Sequence, residues 1–141
     1  MIENCHVDGK VESTGTHGGL AGSNISKGDI KECTADVTVT GTGLSGGFIG
    51  ANYGKIRYSG STGTVSGSND YTGGFVGLNE DGSGVIENCY ALGKVSGSHA
   101  GGFAGKMNWS SVIRYAYAAG MVSDNAGPGF VNSIINSSQI Y

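Results

Sequence analysis

Proline is almost missing from this chain: Pro128 is the single example in 141 residues. Tryptophan also occurs once, and only 13% of the residues are charged. No apolar run approaches the ~20 residues that a membrane-spanning helix needs, so membrane insertion is not expected. Lys and Arg number 8 against 11 Asp and Glu, giving a formal charge of −3. That balance lacks the basic footprint of a nucleic-acid partner. No stretch sustains a helical apolar period, and glycine recurs so often that a helix would lose ~1 kcal/mol at each one. The three cysteines form no C-x-x-C pair, and no His-rich spacing accompanies them, so a zinc site is not expected.

Glycine is what the chain has in excess, at 28 residues. It shows no three-residue period, which excludes a collagen-like helix. Apolar residues make up 38% and recur in register, which argues against disorder. Five times a pair of small residues precedes one large apolar residue. The segments are Gly18-Gly19-Leu20, Gly46-Gly47-Phe48, Gly73-Gly74-Phe75, Gly101-Gly102-Phe103 and Pro128-Gly129-Phe130, and the large residue advances by 28, 27, 28 and 27 positions. A fixed period of this size marks stacked repeats.

Two further landmarks keep the same phase. Ile2, Ile30, Ile56, Ile86 and Ile113 are each followed three residues later by Cys5, Cys33, Ser59, Cys89 and Ala116, and then by Val11, Val39, Val65, Val95 and Val122. Each unit holds three short strand-like segments separated by Gly, Ser, Asn and Asp. The expected fold is all-β: a parallel β-solenoid of about five coils of 27–28 residues, with three short strands per coil. The coils fall at 2–29, 30–55, 56–85, 86–112 and 113–141 of a single repeat domain, and Ile134 to Tyr141 start a possible sixth. Equivalent residues would stack ~4.8 Å apart along the axis. No coil can bury its apolar face alone, so stability would reside in the interfaces between neighbours.

The column beside the isoleucines reads Glu3, Lys31, Arg57, Glu87, Arg114, and only Lys31–Arg57 is a like-charged pair. Such a column suits an outward face. Asn24, Asn52 and Asn79 share a repeat position, with Asn108 displaced by one residue. An asparagine ladder at a turn can bond side chain to side chain and tolerates left-handed backbone.

These residues resemble the GLUG repeat, whose pattern is roughly Gly-Gly-Leu/Phe-Val-Gly-x-Asn, a short loop, then Ile-x-Asn-Cys-Tyr/Ser-Ala-x-Gly-x-Val. Gly73-Gly74-Phe75-Val76-Gly77-Leu78-Asn79 and Ile86-Glu87-Asn88-Cys89-Tyr90-Ala91-Leu92-Gly93-Lys94-Val95 follow it closely, and the resemblance runs from Ile2 to about Val131. The last unit departs from it at Pro128 and Asn132. The resemblance implies a repeat of large bacterial secreted or cell-surface proteins. Such repeats occur in adhesin-like proteins and beside the catalytic domain of some immunoglobulin A proteases, and carry no catalytic residues themselves. On this reading the chain is a fragment of a larger surface protein. Met1 would be an added start, since Ile2-Glu3-Asn4-Cys5 is already mid-repeat and no signal peptide is visible.

Candidate chemistry is sparse. Asp8 and Asp36 share a repeat position on adjacent coils, where two close carboxylates could attract calcium. With Glu12 they are also the acids that a polysaccharide-active β-helix would use. The loop Asn79-Glu80-Asp81-Gly82-Ser83-Gly84 adds Glu80 and Asp81 as possible cation ligands, but lacks calcium-loop spacing and reads as a turn. No cofactor is expected beyond that possible calcium. Gly41-Thr42-Gly43-Leu44-Ser45-Gly46 matches G-x-G-x-x-G by letter only, because no helix can follow it. The cysteines read as buried free thiols, since in-register neighbours fit disulfide geometry poorly. His6, His17 and His99 share no column and read as surface residues.

Surface features offer more. Ala21, Ile49, Val76, Ala104 and Val131 each follow the large apolar residue, so strand alternation places them outside as an apolar stripe for a partner. Tyr58, Tyr90, Tyr115 and Tyr117 gather as an aromatic face able to stack on sugars or on each other. Hydroxyl columns Thr40, Ser66, Ser96, Ser123 (with Glu12) and Thr14, Thr42, Ser68, Ser98 (with Asn125) flank Gly41, Gly67 and Gly97, which reads as turn chemistry. The expected function is a non-catalytic structural or adhesive module, with a protein or glycan partner or self-association through open solenoid ends. A glycan- or calcium-binding module and a polysaccharide-active enzyme are the alternatives.

Overall fold

At Gly73-Gly74 the chain turns a corner with no room for a side chain. A Cβ on Gly73 would lie 1.9 Å from the Val76 carbonyl oxygen, and one on Gly74 would lie 2.1 Å from the Gly102 carbonyl oxygen of the next coil. These are backbone contacts on both sides, so relief would require moving a neighbouring coil. Gly74→Ala should therefore lose about 2–3 kcal/mol in a urea melt. Gly82→Ala, with open space around the added methyl, should stay within about 0.5 kcal/mol of the parent. Equal losses in the two variants would contradict the corner argument.

The computed structural model describes residues 1–124 and 129–141. Asn125 and Pro128, placed above at the top of a hydroxyl column and in the fifth Gly-Gly position, lie outside the described residues. The described chain consists of strands and turns, and every strand pairing is parallel, with partners 26–30 residues apart. It is a β-solenoid of about five turns.

Four sheets run along the axis, in place of the three expected strands per coil. The first holds Ile2–Glu3, Asp29–Lys31, Lys55–Arg57, Val85–Glu87, Val112–Arg114 and Gln139–Ile140. The second begins with two nine-residue strands, His6–Thr14 and Thr34–Thr42. In the next three coils each such strand is interrupted, for example into Gly60–Ser61 and Val65–Ser68. The break falls at Gly63, where a Cβ would lie 2.0 Å from the Val37 carbonyl oxygen. The third sheet is the one missed: His17–Gly18, Ser45–Gly46, Tyr71–Gly73 and His99–Gly101 are too short to show alternation. The fourth holds Ala21–Asn24, Ile49–Asn52, Val76–Asn79, Ala104–Met107 and Val131–Ile134. A sixth coil does begin, but at Gln139–Ile140; Ile134 pairs with Met107 inside the fifth.

The phenylalanine column forms the spine of the core. Phe48, Phe75, Phe103 and Phe130 stack with ring centroids 4.6, 4.9 and 5.0 Å apart and planes within 12° of parallel. Those spacings are the ~4.8 Å strand repeat expressed in side chains. The isoleucine column and Val39, Val65 and Val95 complete the core. The postulated external stripe is internal instead. Ile49, Val76 and Ala104 have no exposed surface, and Ala21 and Val131 pack against the same cluster. The chain bends at Gly47-Phe48 and its equivalents, so Phe and its successor both face inward and alternation fails at the corner.

Burial varies along the isoleucine column. Ile30, Ile56, Ile86 and Ile113 are at most 2% exposed, whereas Ile2 and Ile140 are each 41% exposed. At the first end, His6–Thr14 pairs on one side only, with Thr34–Thr42. At the other, a hollow of about 260 Å³ opens beside Phe130, Ala118 and Val122.

Candidate functional site

The corner that follows the isoleucine column explains the motif residue by residue. Asn4, Glu32, Tyr58, Asn88 and Tyr115 all adopt φ between 52° and 54°, a left-handed column running the length of the solenoid. Asparagine tolerates that conformation best among non-glycine residues. The next residue closes the corner. The Cys33 and Cys89 thiols donate to the carbonyls of Lys31 and Glu87 at 3.1 Å, and the Ser59 hydroxyl donates to Arg57 at 2.9 Å. Cysteine and serine interchange here because each supplies a short donor. All three cysteines are free; Cys33 and Cys89 are buried and Cys5 is half-buried. Burial pushes the Cys89 thiol up to about 12 and raises Cys33 as well, so neither is a nucleophile at neutral pH.

Two steps of the charged column form ion pairs in register. Lys31 Nζ meets Glu3 at 2.9 Å and Glu32 at 3.0 Å, and Arg114 meets Glu87 at 2.7 Å. The like-charged Lys31–Arg57 step is relieved by Asp29, which holds Arg57 Nη2 at 2.6 Å. The side-chain bonds to Glu3 and Glu32, and to Asp29, raise the pKa of Lys31 and Arg57 respectively.

Asp8 and Asp36 face each other across one rung, both exposed, as their repeat position requires. Glu12 sits on the same outer face but its carboxylate is taken by Lys10 at 2.6 Å, whose hydrogen bond and charge hold its pKa below the usual carboxylate range. Among the described residues, no three His, Cys, Asp or Glu side chains gather where they could hold a metal ion. Asp8 and Asp36 are thus two acids without a third, and Glu80 and Asp81 lie in the turn after the fourth sheet, away from that rung.

The histidines do not all lie at the surface. His17 is buried at 4% exposure, with Nδ1 3.0 Å from the Gly15 carbonyl and Nε2 3.0 Å from Ser45 Oγ. The rung continues to Thr72, whose hydroxyl is buried without a hydrogen-bond partner. The arrangement resembles a Ser–His pair, but Ser45 has no exposed surface and no substrate atom can reach it. This inner polar row also explains Gly41 and Gly67, which lie within strands and not in turns. A Cβ on Gly41 would lie 2.7 Å from His17 Nε2, and one on Gly67 would lie 2.0 Å from Thr72 Oγ1. The first hydroxyl column, Thr40, Ser66, Ser96 and Ser123, is a true strand rank with Glu12 at its foot. In the second, Thr14, Thr42 and Ser68 pair in register, while Ser98 stands in a turn.

Of the four tyrosines, the structure brings two together. Tyr90 and Tyr117 stack at 5.8 Å, and the Tyr90 ring lies over Gly60, where a Cβ would be 2.1 Å from the ring. Tyr58 and Tyr115 stand on the left-handed column, two coils apart with Asn88 between them. They are 56% and 70% exposed.

The asparagine ladder is internal. Asn24 Nδ2 donates to Asn52 Oδ1 and Asn52 Nδ2 to Asn79 Oδ1, each at 2.9 Å. Met107 takes the next rung. Asn108 is also buried but belongs to a second column, accepting from Asn136 Nδ2 at 2.6 Å and donating to Glu80 at 3.0 Å. One surface feature joins the loop carboxylates Glu80 and Asp81 to two aromatics that the sequence did not single out: a cleft of about 360 Å³ lined by Tyr53, Glu80, Asp81 and Trp109. The unequal turns that create it were the available signal.

The GLUG motif matches residues 14–40 and 68–96. Each match is one coil's length, running from the end of a second-sheet strand to the same sheet of the next coil. No curated protein and no solved structure matches the chain. The segment between the two matches carries the same Gly-Gly-Phe corner, buried asparagine and isoleucine in register. Residues 14–40 and 68–96 are GLUG motifs, and both are folded as coils of a parallel β-solenoid.

Proposed function

We propose that this chain is a non-catalytic structural and adhesive module of a bacterial secreted or cell-surface protein, which extends by stacking coils and associates through its open ends. The observation that carries this reading is the unbroken parallel register of the isoleucine column from coil to coil, with Ile30, Ile56, Ile86 and Ile113 buried between neighbours. An uncovered coil offers both an apolar floor and a row of unpaired backbone groups, the combination that templates another strand. The nine-residue edge His6–Thr14 is the longer template. The motif matches support a repeat module, and the bacterial surface setting is carried over from what GLUG-repeat proteins are.

Sedimentation velocity over a wide concentration range, with and without calcium, tests the association. Growth of the sedimentation coefficient with concentration is the expected result. A steady monomer under both conditions would remove self-association and leave extension alone. Growth that requires calcium would move the interaction to Asp8, Asp36, Glu80 and Asp81.

A further inference from the structure

We infer that the cleft between Tyr53 and Trp109 is a binding site for a substituted ammonium group, held between aromatic faces and the carboxylates of Glu80 and Asp81. The inference goes beyond the stacking function, since the cleft lies on the flank of the solenoid and not at its ends. Its shape follows from turn lengths. After the fourth sheet the second coil turns in two residues, 53–54, the third in five, 80–84, and the fourth in four, 108–111. The longer turns overhang the shorter one. Tyr53 forms the recess, half-buried, and Trp109 stands out above it at 60% exposure on left-handed backbone, φ 52°.

The chemistry of the lining selects the ligand. Two of the four lining residues are carboxylates and none is a cation. Neither Glu80 nor Asp81 has an ion-pair partner among the described residues, Lys55 on the following strand included. Glu80 is held in place by Asn108 Nδ2, which binds Oε1 at 3.0 Å and leaves Oε2 available. Burial first, and then the charge of Glu80, raise the pKa of the Tyr53 hydroxyl, so the two groups share one space. Ionised carboxylates only accept hydrogen bonds, and the neutral donors of the lining are the Tyr53 hydroxyl and the Trp109 indole N–H. Aromatic faces beside uncompensated negative charge favour an organic cation. Two carboxylate acceptors call for an ammonium that carries N–H donors, so the ligand is a lysine side chain of a partner protein, and a methylated headgroup is the alternative that the second probe tests.

Trp109 is the sole tryptophan, so its fluorescence reports on this cleft alone. Tetramethylammonium chloride and n-butylammonium chloride would be titrated into the dilute chain, with sodium chloride at matched ionic strength as the control. The expected result is a saturable change with one or both ammonium probes, with affinity falling about two- to fivefold in Glu80→Gln and in Asp81→Asn. The better probe identifies the source: butylammonium for a lysine, tetramethylammonium for a methylated headgroup. Asp81 is exposed and Glu80 half-buried on the same turn, and Gln keeps an acceptor for Asn108, so the circular dichroism melts of both variants should match the parent. No saturation beyond the sodium control would overturn the inference. So would saturation that both variants leave unchanged, or saturation by methyl glucoside with none by either ammonium. The titration is run at a concentration at which sedimentation velocity shows the monomer, so failure here leaves the end-stacking proposal untouched, and the converse holds.

Discussion

Phe75→Ala will cost the chain about 3–5 kcal/mol, a large part of the 5–15 kcal/mol that holds a domain of this size together. Phe75 has no exposed surface and stacks on Phe48 below at 4.6 Å and on Phe103 above at 4.9 Å. The neighbouring coils cannot close over the gap, because their backbones are hydrogen-bonded at strand spacing on every side. Phe48 N donates to Phe75 O at 2.9 Å and Phe75 N to Phe103 O at 2.8 Å. The cavity therefore persists, and the cost falls on two coil interfaces at once. In a stack whose stability is a sum over neighbours, a central defect divides the array. Urea unfolding followed by circular dichroism should show a much lower midpoint, with a broadened or two-step transition. Phe130→Ala supplies the comparison: Phe130 is partly exposed at the open end and has one ring neighbour, so about half the loss is expected. Equal losses at the two positions would show that the column is not the spine of the fold.

Asn52→Ala should lose about 3 kcal/mol although it removes little apolar surface. The Asn52 amide is fully buried and all four of its bonding positions are filled. Oδ1 accepts from Asn24 Nδ2 at 2.9 Å and from the Gly54 N–H at 3.2 Å; Nδ2 donates to Asn79 Oδ1 at 2.9 Å and to the Gly54 carbonyl at 3.0 Å. Alanine leaves the partners on Gly54 and Asn79 buried without replacement, and each such orphan costs about 1–3 kcal/mol. Asn24→Ala breaks one rung bond at the end of the ladder and should cost about 1 kcal/mol. Denaturant melts of the two single variants and the double variant measure the coupling. Strict additivity would mean that the rungs act independently and would defeat the ladder argument.

Much of this architecture was legible because a stacked fold writes each rung of its ladders into the sequence as a repeat. The isoleucine, valine and phenylalanine columns, the register of Glu3 with Lys31 and of Glu87 with Arg114, and the juxtaposition of Asp8 with Asp36 all follow from spacing alone. What was illegible depends on where the chain bends. Alternation assigns Ile49 and Val76 to the outside, yet the bend beside Phe48 and Phe75 turns both inward. The third sheet is two or three residues wide, too narrow for any period, and with it His17 was misplaced. The cleft is a matter of turns from different coils overhanging one another, which no single repeat contains.

The turn after the fourth sheet varies between two and five residues from coil to coil. Even so, Asn52 still pairs with Asn79 before it and Ile56 with Ile86 after it. Chain length varies here by up to three residues, more than the one or two between the second and third sheets, while register on either side is kept, because closing a somewhat longer loop costs little entropy. It is the natural point at which diversity, or an inserted peptide, can enter the array without the core registering the change. A protein built this way can vary what it displays along one flank, coil by coil, while the scaffold underneath stays constant.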